Sequence, residues 1–390
     1  MGRRRFREFY YITHVDNLVS ILQHGILSHA LIESRGIPTT SIYDEGIVSW
    51  RREITTPHGL SLWQYANVYF RARNPMLYRV LIERDKEEIV VLGISKTVLK
   101  LPGVCFTTGN AARSETKILT ARYWKQYEKE ILEGVDVTWW SEVDGSKRRI
   151  MAEVLVPGHI PPEYIHSIYV ANNTVAQRVR ALVKQIARNI SVVPEPEMFF
   201  EPKRERILTP RLKLIEGDMF FSRMQTLTIS VNTVGVMGKG LASRAKYQFP
   251  DAYVVYQDAC RRGDIRPGKP YLYKREGSLD ALLADDVPNP ITLNRRTWFL
   301  FFPTKRHWRE RSRIEDIEKG LQWIVDNYKQ EGIESLALPA LGCGLGGLDW
   351  AEVGPLMCRY LSQLDIEVHI HLPLEKSLPE EQLAPEFLLR

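Results

Sequence analysis

The pattern of apolar positions divides the chain into two halves, of which the second is the more regular. Short apolar runs alternate there with helical patterns, which is typical of an α/β/α three-layer domain. One helix is predicted to begin at a capping box formed by Ser312 and Glu315 and to end at Gly332. The predicted strands are Leu212–Ile215, Leu227–Val231, Tyr271–Tyr273, Trp298–Phe302, Ser335–Leu338 and Val368–Leu372.

The first half mixes short strands and helices without a regular βα alternation. Its apolar runs predict strands over Glu88–Ile94, Ala152–Val156 and Ile165–Val170. Helical spacing predicts helices over Asp16–His24, which ends at a glycine, and over Thr174–Arg188. This mixture indicates an α+β fold.

Proline and charge mark the boundary between the halves. Residues 193–210 contain four prolines and a charged run, so they are predicted to form a linker. The expected domains are 1–207 and 211–373, followed by a tail at 374–390 with a short helix at most. A length of 390 residues fits two or three domains of about 150 residues each.

Composition excludes several classes of protein. With 44% hydrophobic and 26% charged residues, the chain is neither fibrous nor wholly disordered. No apolar run reaches the roughly 20 residues of a membrane span, and the N-terminus lacks the apolar stretch of a signal peptide, so no membrane partner is expected. The four cysteines form no CxxC pair, which argues against a disulfide framework or a metal site and favours a reducing cytoplasm.

The net charge of +6 lies entirely in residues 1–207, and a second basic cluster at 295–313 lies in the otherwise neutral half. Basic clusters favour a polyanionic partner, most often nucleic acid. A solvated basic surface without a partner is equally compatible with a charge of this size.

Two glycine-rich loops follow predicted strands, at 232–242 and at 341–349. Glycines let backbone N–H groups approach a phosphate, so two such loops can hold a diphosphate from both sides. A Walker A loop is excluded because no GK[ST] is present, and neither loop has the spacing of a Rossmann fingerprint.

Four motifs in residues 211–372 together resemble a macrodomain, most closely the branch of the terminal ADP-ribose hydrolases and DarG antitoxins. They are the segments 217–220, 232–242, 302–305 and 342–350. The resemblance implies that Asp218 contacts the adenine and that Lys305 attacks or polarises the anomeric carbon. The implied ADP-ribose contacts are Asp218, Met219, Asn232, Gly235, Val236, Met237, Gly238, Gly240, Thr304, Gly342, Cys343, Gly344, Leu345 and Gly346.

One position departs from the pattern of that branch. The animal hydrolases carry an aspartate where this chain has Gly346, and Asp349 is shifted, so the acidic partner of Lys305 is not identified. Arg306 and Arg309 are candidates for binding DNA phosphates and for lowering the pKa of the lysine by like-charge repulsion. A macrodomain that binds ADP-ribose without cleaving it is the alternative.

Four features of the first half suggest chemistry: His14 with Asn17, the pair Arg51-Arg52, the segment 69–78, and Glu153. A histidine or an aromatic residue is more often part of the core than of a site. Glu153 is different, because an unpaired carboxylate in an apolar strand is costly and is expected to face a cleft or a partner. Arginines interleaved with aromatic residues suit a single-stranded nucleic acid.

Together these features resemble the DarT toxins, which ADP-ribosylate DNA within the ADP-ribosyltransferase fold, over residues 6–200. The resemblance implies NAD+ as donor and a base in single-stranded DNA as acceptor, with thymine as the expected base. Glu153 is expected to orient the nicotinamide ribose, and Arg51 in preference to Arg52 is expected to act on the acceptor base. The implied NAD+ contacts are His14, Asn17, Arg52, Tyr69, Arg73, Asn74 and Tyr78; Lys147, Arg148 and Arg149, in a substrate loop at 107–149, are the implied DNA contacts.

The order of the two halves suggests a toxin and its antitoxin in one chain, with the macrodomain reversing the transfer. Two alternatives stay open at this point: an NAD+-dependent RNA 2′-phosphotransferase, and a binding module without catalysis. The sequence predicts no metal cofactor and leaves open whether the halves contact each other.

Overall fold

The computed structural model describes residues 7–43, 49–186, 189–285, 296–373 and 377–390. The chain divides into two compact units. The first unit contains residues 1–200 together with 280–292, and the second contains 201–279 and 293–390.

The first unit is built on one large, mostly antiparallel sheet. Its strands are β1 (Phe9–His14), β2 (Ile26–Leu27), β3 (Tyr65–Tyr69), β4 (Ile89–Ile94), β5 (Cys105–Thr107), β6 (Ile118–Thr120), β7 (Glu153–Pro157), β8 (His159–Ile160), β9 (Ile165–Val170) and β10 (Ser191–Pro194). The eight-stranded sheet has the order β10-β9-β4-β1-β3-β7-β5-β6, and β2 pairs with β8 separately. The strand β7 therefore lies inside the sheet, beside β3.

Helices and 3-10 turns surround this sheet. The helices are α1 (Leu18–His24), α2 (His29–Arg35), α3 (Pro75–Glu83), α4 (Trp124–Val135), α5 (Ser146–Arg149) and α6 (Asn173–Gln185). The α+β prediction for this half is confirmed. The first predicted helix begins later than expected, because Val15–Asn17 forms a 3-10 turn capped by the His14 side chain.

The second unit has a seven-stranded sheet in the order β11-β12-β17-β16-β13-β15-β14. Its strands are β11 (Arg204–Ile207), β12 (Leu212–Glu216), β13 (Thr226–Asn232), β14 (Tyr271–Tyr273), β15 (Trp298–Lys305), β16 (Ser335–Pro339) and β17 (Glu367–His371). The five central strands run parallel, and the two edge strands are antiparallel to their neighbours. The strand predictions for this half match these elements within a few residues.

Helices connect these strands, and the predicted α/β/α architecture of the macrodomain type is confirmed. They are α7 (Gly240–Gln248), α8 (Pro250–Arg262), α10 (Ile314–Glu331), α11 (Trp350–Leu361) and α12 (Pro385–Leu388). The short helix α9 (Leu279–Leu283) lies between β14 and β15 in sequence, but all of it except Leu279 belongs to the first unit. The apolar face of α10 is buried against the sheet through Ile317, Leu321 and Ile324.

The start of α10 differs from the predicted capping box. Arg313 is the N-cap residue and no side chain caps the helix, although Gly332 ends it as predicted. Ser312 instead donates its backbone N–H to the carbonyl of Gly346 at 2.9 Å. The beginning of the helix is thus tied to the second glycine loop.

The proline-rich segment 193–210 is more ordered than a linker. It contains the end of β10, a 3-10 turn over Pro196–Phe199, and β11. Pro194 ends β10 and Pro196 begins the 3-10 turn, two positions where proline is tolerated. The tail also packs: Leu383 and Leu388 are buried, and Trp350 Nε1 donates to the carbonyl of Gln382 at 3.1 Å.

Within the described residues, no helix is both long and apolar enough to cross a membrane.

Candidate active sites

Glu153 lies at the first position of β7, in the interior of the first unit. Its register partner on β3 is Tyr69, which in turn pairs with Tyr10 of β1. The residue has 0% of its surface exposed. Its backbone N–H donates to Thr107 Oγ1 at 2.8 Å, which fixes the start of the strand.

The carboxylate of Glu153 is held by four hydrogen bonds from three residues. Arg51 donates from Nη2 to Oε2 at 2.8 Å and from Nη1 to Oε1 at 3.3 Å. Asn67 Nδ2 donates to Oε2 at 2.9 Å, and the backbone N–H of Ala111 donates to Oε1 at 3.0 Å. A buried carboxylate needs such donors, so the expectation that Glu153 has a partner is met by Arg51 and Asn67.

Geometry separates the two adjacent arginines. The Arg51 side chain is 13% exposed and contacts Glu153, whereas that of Arg52 is 52% exposed and pairs with Glu33. The Arg52 guanidinium also lies 4.1 Å from the ring centroid of Trp63. Burial opposes the charge of Arg51, but the charge of Glu153 and its hydrogen bonds outweigh burial and raise the pKa of Arg51.

An aromatic group lies near Arg51. The rings of His29 and Trp63 stack with centroids 4.3 Å apart, and His29 Nδ1 lies 3.0 Å from the hydroxyl of Tyr43. Burial, followed by the positive charge of Arg51, lowers the pKa of His29 to about 4. His29 is therefore neutral at pH 7 and presents a flat, uncharged surface beside the arginine.

Asn17 holds the loop at residues 36–43, whereas His14 caps the 3-10 turn that follows β1. His14 Nδ1 accepts the backbone N–H of Asp16 at 3.2 Å. Asn17 exchanges two hydrogen bonds of 2.8 Å with the backbone of Thr40 and donates to Thr13 at 3.2 Å. Asn17 thus shapes the loop and His14 the turn before it, and the NAD+ contacts of both residues stay a prediction.

The segment 69–78 is largely buried. Burial is the main cause that raises the pKa of Tyr69, with the charge of Glu153 adding to it. Asn74 is the N-cap of α3, where Oδ1 accepts from Leu77 at 3.0 Å and Nδ2 donates to the carbonyl of Arg71 at 2.9 Å. Asn74 is 0% exposed, so this arrangement offers no surface of it to NAD+.

The remaining predicted contacts of this unit also have protein partners. Arg73 donates to the carbonyl of Thr138 at 3.2 Å, and the hydroxyl of Tyr78 donates to Asp280 at 2.7 Å. The basic residues of α5 have partners as well: Lys147 lies 3.6 Å from Glu142, Arg148 donates to Thr116 at 3.3 Å, and Arg149 donates to the carbonyl of Asp144 at 3.0 Å. All three are half-buried, and their DNA contacts stay predictions.

In the second unit the predicted residues collect at one edge of the sheet. The strands β12, β13, β15 and β16 are parallel, so their carboxyl ends meet there. These ends are followed by Asp218, by the loop at 233–240, and by the loop at 341–347, and β15 itself ends at Lys305.

Asp218 is the N-cap of a 3-10 turn over Met219–Phe221, where it accepts the backbone N–H of Phe220 at 3.1 Å. Its other oxygen accepts from Arg244 Nη1 at 2.7 Å. His371 supports the same turn, because its Nδ1 lies 3.0 Å from the carbonyl of Gly217. Burial lowers the pKa of His371 to about 4, so Nδ1–H of the neutral ring is the donor.

Asn232 organises the first glycine loop. Its Oδ1 accepts the backbone N–H groups of Val234 and Val236 at 3.0 and 3.3 Å, and its Nδ2 donates to the carbonyl of Val236. Gly235 has φ +78°, in the region that favours glycine. Val236 is exposed, whereas Met219 and Met237 are buried.

Lys305 spans the two glycine loops. It pairs with Asn232 in the sheet register, and its Nζ donates to the carbonyl of Leu345. Thr304, one residue earlier, is buried and donates to the carbonyl of Val231 at 3.4 Å. The amine of Lys305 is therefore placed beside the loop predicted to cover the diphosphate.

Steric crowding explains why position 346 carries glycine and supplies no acidic partner for Lys305. A Cβ there would lie 2.3 Å from Ser312 Oγ and 2.4 Å from the carbonyl oxygen of Gly342, so no side chain fits. Asp349 is the N-cap of α11 and accepts from Ala351 at 3.0 Å. Neither position supplies an acid to Lys305 in the described structure.

The basic segment after Lys305 has partners of its own. Arg306 makes two hydrogen bonds to Asp316, at 2.9 and 3.0 Å, which raise the pKa of the arginine. Arg309 lies over the ring of Trp308 at 4.5 Å. Arg306 is thus committed to an ion pair, which weakens its candidacy as a DNA contact. Arg295 of the same basic cluster lies outside the described residues.

Sequence reasoning missed the residues that hold these groups. Asn67 stands in an otherwise apolar strand, the same signal that identified Glu153. Arg244 and His371 carried no such signal, because an arginine on a helix and a histidine in a strand are ordinary. Among the described residues, no group of three His, Cys, Asp or Glu is arranged to hold a metal ion.

Comparison with known proteins identifies the chain. Residues 10–200 match the model of DarT, the ssDNA thymidine ADP-ribosyltransferase, and residues 295–357 match that of the Macro domain. A DNA ADP-ribosyl transferase–DNA ADP-ribosyl glycohydrolase fusion protein of Thermosipho africanus is 57% identical over 386 residues, 99% of each chain. The chain belongs to this family of fusion proteins.

The structure agrees over the same length. The structure of Thermosipho africanus DarTG in complex with ADP-ribose has a TM-score of 0.94 and 56% identity, covering 99% of this chain and 100% of that one. A DNA ADP-ribosyl glycohydrolase of Thermus aquaticus is 38% identical over 165 residues, 42% of each chain. The first unit is therefore called the transferase unit below, and the second the macrodomain unit.

Proposed function

We propose that the transferase unit moves ADP-ribose from NAD+ to a thymine base of single-stranded DNA, and that the macrodomain unit removes it by hydrolysis. The transfer reaction is supported by the buried Glu153 carboxylate, which accepts hydrogen bonds from Arg51 and lies within the residues that match the DarT model. NAD+ and single-stranded DNA are thus the proposed substrates, and ADP-ribose is the proposed ligand of the macrodomain unit.

In the first reaction, the bond between the nicotinamide nitrogen and the ribose breaks and nicotinamide leaves with the bonding electrons. Positive charge then develops on the ribose, and the carboxylate of Glu153 stabilises it and accepts a hydrogen bond from a ribose hydroxyl. Arg51 must release at least one oxygen of Glu153 for this contact. Asn67 and the Ala111 N–H keep the carboxylate in place during the exchange.

The acceptor base supplies the electron pair for the new bond to the ribose. A ring nitrogen of thymine releases its proton to solvent water, and the negative charge left on the base spreads onto the neighbouring carbonyl oxygens. Arg51 remains protonated because Glu153 raises its pKa. Its proposed role is therefore to hold those oxygens and favour the deprotonated base. A single strand suits this site, since a paired base must first be unstacked.

In the second reaction, the glycosidic bond between the base and the ribose breaks, the base nitrogen regains a proton, and water adds its oxygen to the anomeric carbon. Lys305 is proposed to polarise or attack this carbon, because it lies at the sheet edge between the two glycine loops. Asp218 is proposed to accept from the adenine amino group while Arg244 fixes its orientation.

Glu153→Gln tests the first assignment. The variant keeps the size of the side chain and removes its charge, so release of nicotinamide in the presence of a thymine oligonucleotide is expected to fall by about 100-fold or more. Glu163→Gln is the control, because Glu163 is an exposed glutamate of the same unit. If Glu153→Gln and Glu163→Gln both release nicotinamide at rates within a few-fold of the parent, the assignment is wrong.

A further inference from the structure

A short segment from far along the chain belongs to the transferase unit. It comprises residues 280–285, here called the inserted segment, and includes most of α9. In sequence it lies between β14 and β15, almost 80 residues after the body of this unit ends. The contacts of the segment explain why it packs against the transferase unit.

Hydrogen bonds anchor the inserted segment at Asp280, Leu283 and Asp285. Tyr78 donates its hydroxyl to Asp280 Oδ1 at 2.7 Å, and Trp140 donates its indole N–H to the carbonyl of Leu283 at 2.9 Å. The backbone N–H of Asp285 donates to the carbonyl of Pro75 at 3.1 Å. Tyr78, Trp140, Asp280 and Leu283 are all buried, so the segment is packed into the unit and does not merely lie on it.

The end of the segment reaches the catalytic centre. Asn110 Nδ2 donates to Asp285 Oδ2 at 3.4 Å, and the next residue, Ala111, donates its N–H to Glu153 Oε1 at 3.0 Å. The charge of Asp285 also acts on Arg51 and Tyr69, after the larger effects of burial and of Glu153. A second carboxylate thus stands beside the pair that the reaction uses.

We propose that the inserted segment restrains the transferase, by placing Asp285 and its anchors where NAD+ and the DNA strand must enter. This inference rests on the proposed function. NAD+ carries a negatively charged diphosphate and DNA a phosphate at each nucleotide, so a carboxylate in a partly buried site repels both. The segment also covers Tyr78, one of the residues expected to contact NAD+, and Trp140 of the expected substrate loop.

The same contacts allow an opposite role, in which the segment completes the active site. The two roles predict opposite changes in the transfer rate when the charge of Asp285 is removed. A restraining segment raises the apparent KM for the substrates. Salt reduces this effect, because screening weakens the repulsion between like charges. A completing segment supports turnover, so removing its charge slows the reaction at every substrate concentration.

Asp285→Asn in the full chain tests the inference. Asparagine keeps the shape and the backbone bond to Pro75 and removes the charge. The initial rate of nicotinamide release is measured with subsaturating NAD+ and a thymine oligonucleotide, a readout that later hydrolysis of the adduct does not affect. We expect a rise of about fivefold or more at low salt, equivalent to about 1 kcal/mol, and a smaller rise at high salt.

Trp140→Phe is the second variant, because it removes the anchor of Leu283 and leaves the charge of Asp285; it is expected to raise the rate as well. Glu276→Gln, an equal change of charge at an exposed residue outside the segment, is expected to stay within twofold of the parent. A rate for Asp285→Asn at or below that of the parent overturns the inference and leaves the proposed function intact. Absence of turnover in the parent and in all variants instead contradicts the transferase assignment itself.

Discussion

Adjacent arginines with opposite surroundings show what individual residues contribute. The sequence presents Arg51 and Arg52 as equivalent, and only the fold shows that the first contacts the buried Glu153 and the second the exposed Glu33. Glu153 was predictable because a carboxylate in an apolar strand needs a partner. Its partners were not, because they come from residues 86 and 102 positions away in the sequence.

The two arginines predict different results for the same substitution. Lysine is a point charge and cannot donate the two parallel hydrogen bonds that Arg51 makes, so Arg51→Lys is expected to lower kcat by at least about tenfold. Arg52→Lys changes an exposed ion pair worth about 0–1 kcal/mol and is expected to stay within about threefold of the parent. Steady-state rates of nicotinamide release compare the two variants. Equal losses of kcat would contradict the different roles of Arg51 and Arg52.

His371 predicts a pH dependence of stability. Its folded pKa of about 4 lies below the ordinary 6.5, so the unfolded chain binds more protons in this range and stability falls as the pH drops from about 6.5 towards 4. The loss between pH 7 and pH 5 from this residue is roughly 2 kcal/mol. Thermal unfolding of the parent and of His371→Asn, which keeps a donor for Gly217, measures it. A parent and variant with the same acid sensitivity would contradict this origin.

At the scale of elements, most strands of the second unit follow from the apolar pattern because its parallel strands are buried on both faces, whereas the apolar pattern predicted only β4, β7 and β9 of the first unit. The errors fall where tertiary contacts override local signals. The predicted capping box at Ser312 is absent because its backbone serves the glycine loop at Gly346. The proline-rich segment contains the end of β10, a 3-10 turn and β11, with Pro194 ending the strand and Pro196 beginning the turn. Sequence alone does not distinguish this arrangement from a linker.

The second glycine loop offers a matched pair of substitutions. A Cβ at Gly346 would clash with Ser312 and with the backbone of Gly342, whereas one at Gly344 meets nothing within 4 Å. Gly346→Ala is therefore expected to lose about 1–3 kcal/mol of stability and to weaken ADP-ribose binding. Gly344→Ala is expected to keep the melting temperature of the parent. Scanning calorimetry and titration with ADP-ribose measure both, and an unchanged melting temperature for Gly346→Ala would contradict the steric account.

At the scale of the whole molecule, one chain carries a unit proposed to modify DNA and a unit proposed to reverse the modification. The sequence motifs predicted both fold classes and the order of the units. They did not predict that residues 280–285 belong to the transferase unit, because their composition resembles any short helix on a surface. Because both units are in one chain, they are always present in equal numbers. The balance between the two proposed activities therefore depends on the rate of each unit and not on its abundance.

Glu153 is proposed to make the adduct and Lys305 to remove it. The most direct test incubates the full chain with NAD+ and a single-stranded thymine oligonucleotide and follows the mass of the oligonucleotide over time. Lys305→Ala is expected to accumulate oligonucleotide carrying ADP-ribose, the parent to accumulate far less, and the double variant with Glu153→Gln to form adduct about 100-fold or more slowly than Lys305→Ala alone. Adduct that accumulates equally in the parent and in Lys305→Ala, or that forms in the double variant as fast as in Lys305→Ala, would contradict these two roles.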